Sequence, residues 1–241
     1  MHYFPLALPF LLLFALLLVF VIFLIEVGIL RYAYERIGLG QRHMFALLVL
    51  SFVGSYVNIP VYRLPPHVVE SGLIISFQGM RYVIPQVSDW PGTVVAVNLG
   101  GALVPTFLSL YLLWRNRLYV QGLLGIALVT VCVHLMAYPV RGVGIAEPTF
   151  VPPLIATAVA LVLSRRYAPP LAYACGSLGT LIGADVLNLG KVQGLGAPVA
   201  SIGGAGTFDG IFLTGILSVL MVSLMTRRRP PETGETWAGP Q

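Results

Sequence analysis

The sequence has few charged residues and few cysteines. Only 10% of its 241 residues are charged and 57% are hydrophobic, whereas a soluble domain carries about 25% charged residues. The two cysteines, Cys132 and Cys175, both lie inside apolar runs, so we expect neither a disulfide framework nor a metal site. The sequence contains no CxxC, HExxH or P-loop motif. We therefore expect no metal and no other cofactor, and the composition favours a polytopic membrane protein.

Long hydrophobic runs, in contrast, are abundant. A helix that crosses the hydrocarbon core of a bilayer needs about 20 predominantly apolar residues. The runs predict seven transmembrane helices, called spans 1 to 7 below, at residues 4–30, 43–59, 93–114, 119–137, 149–164, 170–188 and 208–226. Span 1 lacks the basic start, the short apolar core and the cleavage site of a signal peptide, so we expect it to be retained. The predicted fold class is an all-α polytopic membrane protein.

The positive charge is concentrated in alternate loops. Ten of the 14 basic residues lie after span 1, between spans 3 and 4, between spans 5 and 6, and after span 7. Because cytoplasmic loops carry an excess of Lys and Arg, this asymmetry predicts an outer N-terminus and a cytoplasmic C-terminus. The net charge of +5 is thereby explained by topology. The expected partner is the lipid bilayer and not a nucleic acid.

The chain divides into one large domain and a short tail. Residues 1–229 hold all the spans, and residues 230–241 are polar and rich in Pro and Gly, which predicts a disordered cytoplasmic tail. Within the domain, the loop at 60–91 has two β-rich runs around Gln78-Gly79. This turn-compatible pair predicts a β-hairpin on the outer face. The hairpin would serve either as a cap over the helices or as a docking edge for an extended peptide.

Several polar residues lie near the predicted outer ends of the spans. Measured from the arginines at the inner ends, four of them are 17 to 19 residues away along a helix, about 27 Å. These are Asn98, Glu147, Asp185 and Asp209, with Asn58 and Asn188 nearby. Intramembrane acids indicate functional sites, and Gly/Pro-interrupted backbone at membrane depth must be buried in protein or line water. We therefore predict a pocket that is open to water on the outer side.

Each of these residues also has a purely structural interpretation. Asp209 could cap the helix of span 7, and Asp185 could be a hydrogen-bonded structural acid near the end of span 6. Glu147 could be a solvated loop residue, and Asn98 could hold two helices together.

Asp185 and Asp209 form a possible acid–base pair. Asp209 begins span 7, where the helix macrodipole favours an anion, whereas Asp185 lies near the end of span 6, where it disfavours one. The hypothesis is that Asp209 activates a water while Asp185 protonates the substrate carbonyl, as in hydrolysis by an aspartyl dyad. Gly206 and Gly210 flank the second aspartate and would support the site.

The segments "GADVLNLG" and "GGAGTFDGIFLTGIL" resemble an uncharacterised prokaryotic multi-pass membrane family, a domain of unknown function. This resemblance covers most of the chain, and the expected location is the prokaryotic inner membrane. The same segments distantly resemble the Gly-x-Gly-Asp intramembrane aspartyl proteases: presenilin, signal peptide peptidase and prepilin peptidase. That resemblance implies Asp185 and Asp209 as the two catalytic acids. It departs from the protease pattern at Phe208, where those families have glycine, and the Pro-Ala-Leu motif has no counterpart.

Three functions remain open at this point, and it is undecided whether the protein is an enzyme. A hydrolase acting on membrane-associated peptides requires both carboxyl groups within reach of one water, about 3–6 Å. An ion- or proton-coupled transporter or channel for small solutes, with an outward-facing acidic pocket, requires a continuous path past Asp185 towards the arginine side. A non-catalytic accessory subunit requires acids that are individually satisfied by backbone or Asn partners.

Overall fold

The computed structural model of the chain describes residues 16–17, 19, 28–65, 74–77, 80–83, 92–140, 144–192, 199–204 and 210–226. Five features of the sequence interpretation lie outside these residues. They are most of span 1, the turn at Gln78-Gly79, Gly206, Asp209 and the tail 230–241.

Most of the described chain is helical. The α-helices are α1 (Ile29–Arg36), α2 (Gln41–Gly54), α3 (Val104–Arg115), α4 (Tyr119–Met136), α5 (Val151–Leu163), α6 (Ala168–Thr180), α7 (Leu189–Val192) and α8 (Gly210–Met225). Two π-helices occur, π1 (Leu99–Leu103) and π2 (Leu181–Asp185), and a 3₁₀ turn (Val186–Asn188) joins π2 to α7. Prolines stand in the first turn of α3, α5 and α6, where the missing N–H has no intrahelical partner and the fixed φ favours the helix.

In the part of the chain that the structure describes, two helical stretches are long and apolar enough to cross a membrane. They are Tyr119–Met136, which corresponds to span 4, and Ala168–Val192, which corresponds to span 6 and includes π2 and α7. The apolar helices Arg42–Gly54, Leu99–Arg115, Val151–Leu163 and Gly210–Met225 are shorter, at 10–17 residues. Within the described residues, two spans and not seven reach full crossing length, and the complete topology stays a prediction.

The prediction of an all-α fold is wrong at the end of span 2 and at the start of span 3. There the chain forms β1 (Asn58–Arg63) and β4 (Val94–Asn98), which pair antiparallel. β4 also pairs in parallel with β7 (Val199–Ile202), so the sheet order is β1-β4-β7. The physical reason is the concentration of Val and Ile, whose branched side chains are stiff and pack well on a pleated surface.

Two hairpins accompany this sheet. β2 (Ile74–Phe77) and β3 (Met80–Val83) pair antiparallel, with Phe77 opposite Met80, so the hairpin predicted around Gln78-Gly79 is confirmed. Its position on the outer face and its docking role stay predictions. The second hairpin, β5 (Tyr138–Val140) with β6 (Gly144–Ala146), was not predicted.

Helix α6 is the centre of the helical layer. Every residue of Ala168–Thr180 is buried, and α6 packs against α3, α4, α5 and α8. Glycines in α6 allow the neighbouring helices to approach closely. A β-carbon at Gly179 of α6, for example, would lie 2.5 Å from Cγ1 of Val129 in α4. Large apolar side chains face outwards instead, such as Leu135 (78% exposed) and Val162 (85% exposed). Small residues inside and extensive apolar surface outside suit membrane association.

Candidate functional site

Asp185 is the last residue of π2, and its side chain is half-buried. A π-helix inserts one extra residue into a turn, and such insertions occur frequently at functional sites. The Oδ2 atom of Asp185 accepts a hydrogen bond from the backbone N–H of Gly203 at 2.7 Å. Gly203 and Gly204 both have positive φ, +89° and +66°, which favours glycine because side chains there are strained. A glycine turn thus directs a backbone N–H at the carboxylate.

A small cleft of about 130 Å³ lies beside this carboxylate. It is bounded by the end of π2, by α7, by β6 and by β7, with Gly144, Ile145, Asp185, Leu189, Ser201 and Gly204 in its lining. In the described sheet, β7 has a hydrogen-bonded neighbour on one side only. It is therefore an edge strand, and such a strand presents N–H and C=O groups that can pair with another chain.

Asn98 lies at the start of π1 and is fully buried. Its Oδ1 accepts the N–H of Gly101 at 2.8 Å, which caps the π-helix. Its Nδ2 donates to the carbonyl oxygen of Ser55 at 2.7 Å and to Oδ1 of Asn58 at 3.1 Å. Asn98 therefore connects α2, β1 and π1, and it does not line the cleft beside Asp185. A pocket role for Asn98 stays a prediction.

Asn58 extends this polar network to β7. Its Oδ1 accepts a hydrogen bond from Oγ of Ser201 at 2.7 Å, and the same Oγ lies 2.9 Å from the carbonyl oxygen of Gly204. The turn that follows β7 then reaches Asp185 through Gly203. The structure thus brings Asn58, Asn98 and Asp185 into one continuous arrangement, although only Asp185 lines the cleft.

Close backbone contact fixes this arrangement. A β-carbon at Gly101 of π1 would collide with the carbonyl oxygen of Gly203, and one at Gly203 would lie 2.5 Å from the backbone nitrogen of Ala102. π1 and the glycine turn therefore touch through their backbones. The position of the N–H that meets Asp185 is set by π1 as well as by β7.

Glu147 lies at the beginning of α8. A β-carbon at Gly210, the first residue of α8, would be 2.5 Å from Oε1 of Glu147, so the absence of a side chain at Gly210 makes room for the carboxylate. Glu147 is half-buried, and its interpretation as a loop residue, like its pocket role, stays a prediction. The N-terminus of a helix stabilises a negative charge. Asp209 directly precedes Gly210 in the sequence but lies outside the described residues.

Asn188 stabilises the irregular backbone at the end of span 6. It is fully buried, and its Nδ2 donates to the carbonyl oxygens of Gly183 and Ala184 at 2.8 and 2.9 Å. A π-helix followed by a 3₁₀ turn leaves carbonyl groups without regular intrahelical partners. Asn188 satisfies two of them and so supports the backbone that carries Asp185.

The interpretation of the sequence missed β7 and the turn at Gly203-Gly204. The signal was present as "VASIGG", a short β-branched run followed by two glycines. Asp209 and Gly206 lie outside the described residues, so the distance between Asp185 and Asp209 and the contacts of Gly206 stay untested. In the described part of the chain, no group of three or more His, Cys, Asp and Glu side chains is arranged to hold a metal ion.

Comparison with known families decides the classification. Residues 52–221 match the family model described as "Protein of unknown function (DUF1614)". The chain belongs to the DUF1614 family. The matched range contains Asn58, Asn98, Glu147, Asp185 and Gly210. The comparison with curated proteins found no match, and neither did the comparison with solved structures.

Proposed function

We propose that this DUF1614 member is a multi-pass protein of the prokaryotic inner membrane that hydrolyses peptide bonds of membrane-associated substrates with Asp185 and Asp209. The observation that carries the proposal is the position of the edge strand β7. Residues Val199–Ile202 and the carboxylate of Asp185 line the same cleft, and β7 is open on one side within the described sheet.

The edge of β7 supplies a means of binding a peptide substrate. An extended peptide can add itself to an open sheet edge through main-chain hydrogen bonds. Paired strands lie about 4.7–4.9 Å apart, so a peptide paired with β7 would run along the cleft that contains Asp185. Binding through the main chain also suits a substrate that has left its helical conformation, because its free N–H and C=O groups need partners at membrane depth.

The backbone contact of Asp185 favours a particular division of roles. A hydrogen bond from an N–H to an ionised carboxylate is charge-assisted and therefore strong. In the proposed reaction, Asp185 accepts a proton from a water whose oxygen attacks the peptide carbonyl carbon, and Asp209 gives its proton to the carbonyl oxygen. The C–N bond then breaks as the amide nitrogen takes up the proton from Asp185 and a hydroxyl group of the tetrahedral intermediate returns a proton to Asp209, which leaves a carboxylic acid, an amine and both aspartates in their starting states. These roles are the reverse of those favoured by the macrodipole argument from sequence.

An accessory subunit that binds peptides without cleaving them is the second candidate. The contact between Asp185 and the Gly203 N–H favours this candidate, because an acid with a purely structural role is also satisfied by backbone N–H groups. Transport has less support. A path from Asp185 to the arginine side would have to pass α6, and every residue of Ala168–Thr180 is buried.

The test is cleavage of a library of apolar peptides by the purified full-length chain in lipid vesicles, read by mass spectrometry. We expect Asp185→Asn and Asp209→Asn each to lower the cleavage rate by about 10²–10⁴-fold, the usual loss when a general acid or base is removed. The matched control is Glu35→Gln, which removes a carboxylate paired with Arg31 and should leave the rate unchanged. Peptide binding by wild type with no cleavage would favour the accessory subunit. Full activity in both Asn variants would refute the dyad.

A further inference from the structure

A broad cleft at the arginine-rich end of the helices is not used by the proposed hydrolysis. It has a volume of about 950 Å³ and lies where α1 and α8 end and α6 begins. Its lining includes three arginines, Arg36, Arg165 and Arg166. Glu35 is the acidic residue of the described lining, and it is neutralised by an ion pair with Arg31 at 2.6 Å. The cleft therefore carries surplus positive charge.

The guanidinium group of Arg36 is held in position by several contacts. Its Nε donates to Oη of Tyr32 at 3.0 Å. Its Nη2 lies 3.3 Å from the carbonyl oxygen of Ser223 and 3.4 Å from that of Thr226, at the end of α8. A side chain that is already fixed loses little conformational entropy when it binds a ligand. Arg36 thus forms a rigid wall of the cleft.

Arg165 and Arg166 both line the cleft, and the guanidinium group of Arg166 lies over the ring of Tyr167, 5.3 Å from its centroid. Both are exposed, and no carboxylate pairs with them among the residues that the structure describes. Guanidinium groups bind phosphate oxygens through paired hydrogen bonds. The N-terminus of α6 opens on the same cleft, with Tyr167, Pro169 and Pro170 in the lining, and its macrodipole adds to the attraction for an anion.

An apolar groove adjoins the arginine cleft. Its volume is about 750 Å³, and Gly38 lines both cavities. Arg115 and His43 lie at the end near Gly38, where Nη1 of Arg115 donates to the Gly38 carbonyl oxygen at 2.9 Å. The rest of the groove runs between α2 and α3. Its apolar lining includes Ala46, Leu47, Leu50, Val104, Phe107 and Leu108.

We propose that the cleft and the groove together bind one anionic phospholipid. The arginines of the cleft hold the phosphate, and the groove between α2 and α3 holds an acyl chain. From Gly40 to Leu50 the groove follows α2 for roughly 15 Å, which leads a chain from the basic end towards the interior of the bilayer. Basic pockets between membrane helices on the cytoplasmic side are typical binding sites for acidic headgroups. Among the described residues, none lines both this site and the cleft of Asp185, so the proposed lipid site is separate from the proposed hydrolytic site.

The test is a titration of the purified full-length chain in detergent with phosphatidylglycerol or phosphatidylcholine of identical acyl chains, followed by native mass spectrometry. We expect wild type to prefer phosphatidylglycerol by about tenfold or more, since each arginine near the headgroup strengthens binding severalfold. Arg165→Gln/Arg166→Gln should remove this preference. The matched control, Arg42→Gln/Arg117→Gln, removes the same charge from residues outside both cavities and should change binding by less than about twofold.

A second variant tests the groove without changing any charge. Leu50→Trp fills it and should weaken the binding of both phospholipids, while size-exclusion chromatography confirms that the variant is folded. Equal affinity of wild type for the two headgroups, or equal losses in the two arginine double variants, would overturn the proposal. So would unchanged binding in Leu50→Trp. After such a result, displacement of phosphatidylglycerol by inorganic phosphate alone would identify the cleft as a site for free phosphate. Without that displacement, the chain's own span 1 would be the next candidate occupant of the groove.

Discussion

At the scale of single residues, Gly203 controls the surroundings of Asp185. Its N–H meets the carboxylate, its φ is +89°, and its backbone touches π1 at Ala102. Asp185 itself was predictable, because an acid beside an apolar run is conspicuous in a sequence. Its partner was not predictable, since the contact joins two residues 18 positions apart and depends on a sheet that connects distant segments.

The replacement Gly203→Ala tests this point. We expect a loss of about 2–4 kcal/mol in the free energy of unfolding, because a side chain is strained at positive φ and would press on the backbone of Ala102. The measurement is denaturant unfolding in detergent. Gly190→Ala is the control, since a β-carbon there has no neighbour within 4 Å and should change the stability by less than about 0.5 kcal/mol. Equal stability of the two variants would contradict the close contact.

At the scale of elements, hydrophobic patterns identified the helices better than the strands. Spans 4 and 6 were found because their apolar runs are long. β4 was taken for the start of a helix, because "VVAVN" is apolar and too short for periodicity to separate a strand from a buried helix. β7 was missed for the same reason. Strand pairing, which decides these cases, is not local in the sequence.

The strand β7 also carries a prediction about substrate. Val199 is half exposed on this edge, and Val199→Lys should weaken the binding of an extended peptide by at least about tenfold, because a lysine on an edge strand opposes pairing. Fluorescence polarisation of a labelled apolar peptide measures the binding. Val61→Lys, on the other edge strand β1 and 66% exposed, is the matched control and should bind normally. A loss in both variants would show that the effect is not specific to β7.

At the scale of the whole molecule, the polar site and the arginines occupy opposite ends of the helices. Asp185 lies at the end of the central helical stretch that begins near Arg165 and Arg166. The sequence predicted this separation from the spacing of charges, and the described helices reproduce it. The orientation with the arginine end in the cytoplasm stays a prediction from the positive-inside rule.

Labelling with a membrane-impermeant maleimide tests this orientation in intact cells. Tyr138→Cys places a thiol at an exposed position on the Asp185 side, and Arg117→Cys places one at the arginine end. With Cys132 and Cys175 changed to Ala, we expect labelling from outside at position 138 and none at position 117 until the cells are opened. The opposite pattern would invert the orientation.

The parallel pairing of β4 with β7 has a consequence for biogenesis. Val94 pairs with Val199, more than 100 residues later in the chain. At typical rates of translation these residues take roughly 5–20 s to synthesise, and during that time β4 lacks β7 as its neighbour while α3 to α6 are made. The nascent chain therefore exposes an unfinished sheet until the residues of β7 have left the ribosome. A ribosome stalled before residue 199 would release a product with an unpaired edge that quality-control proteases could recognise.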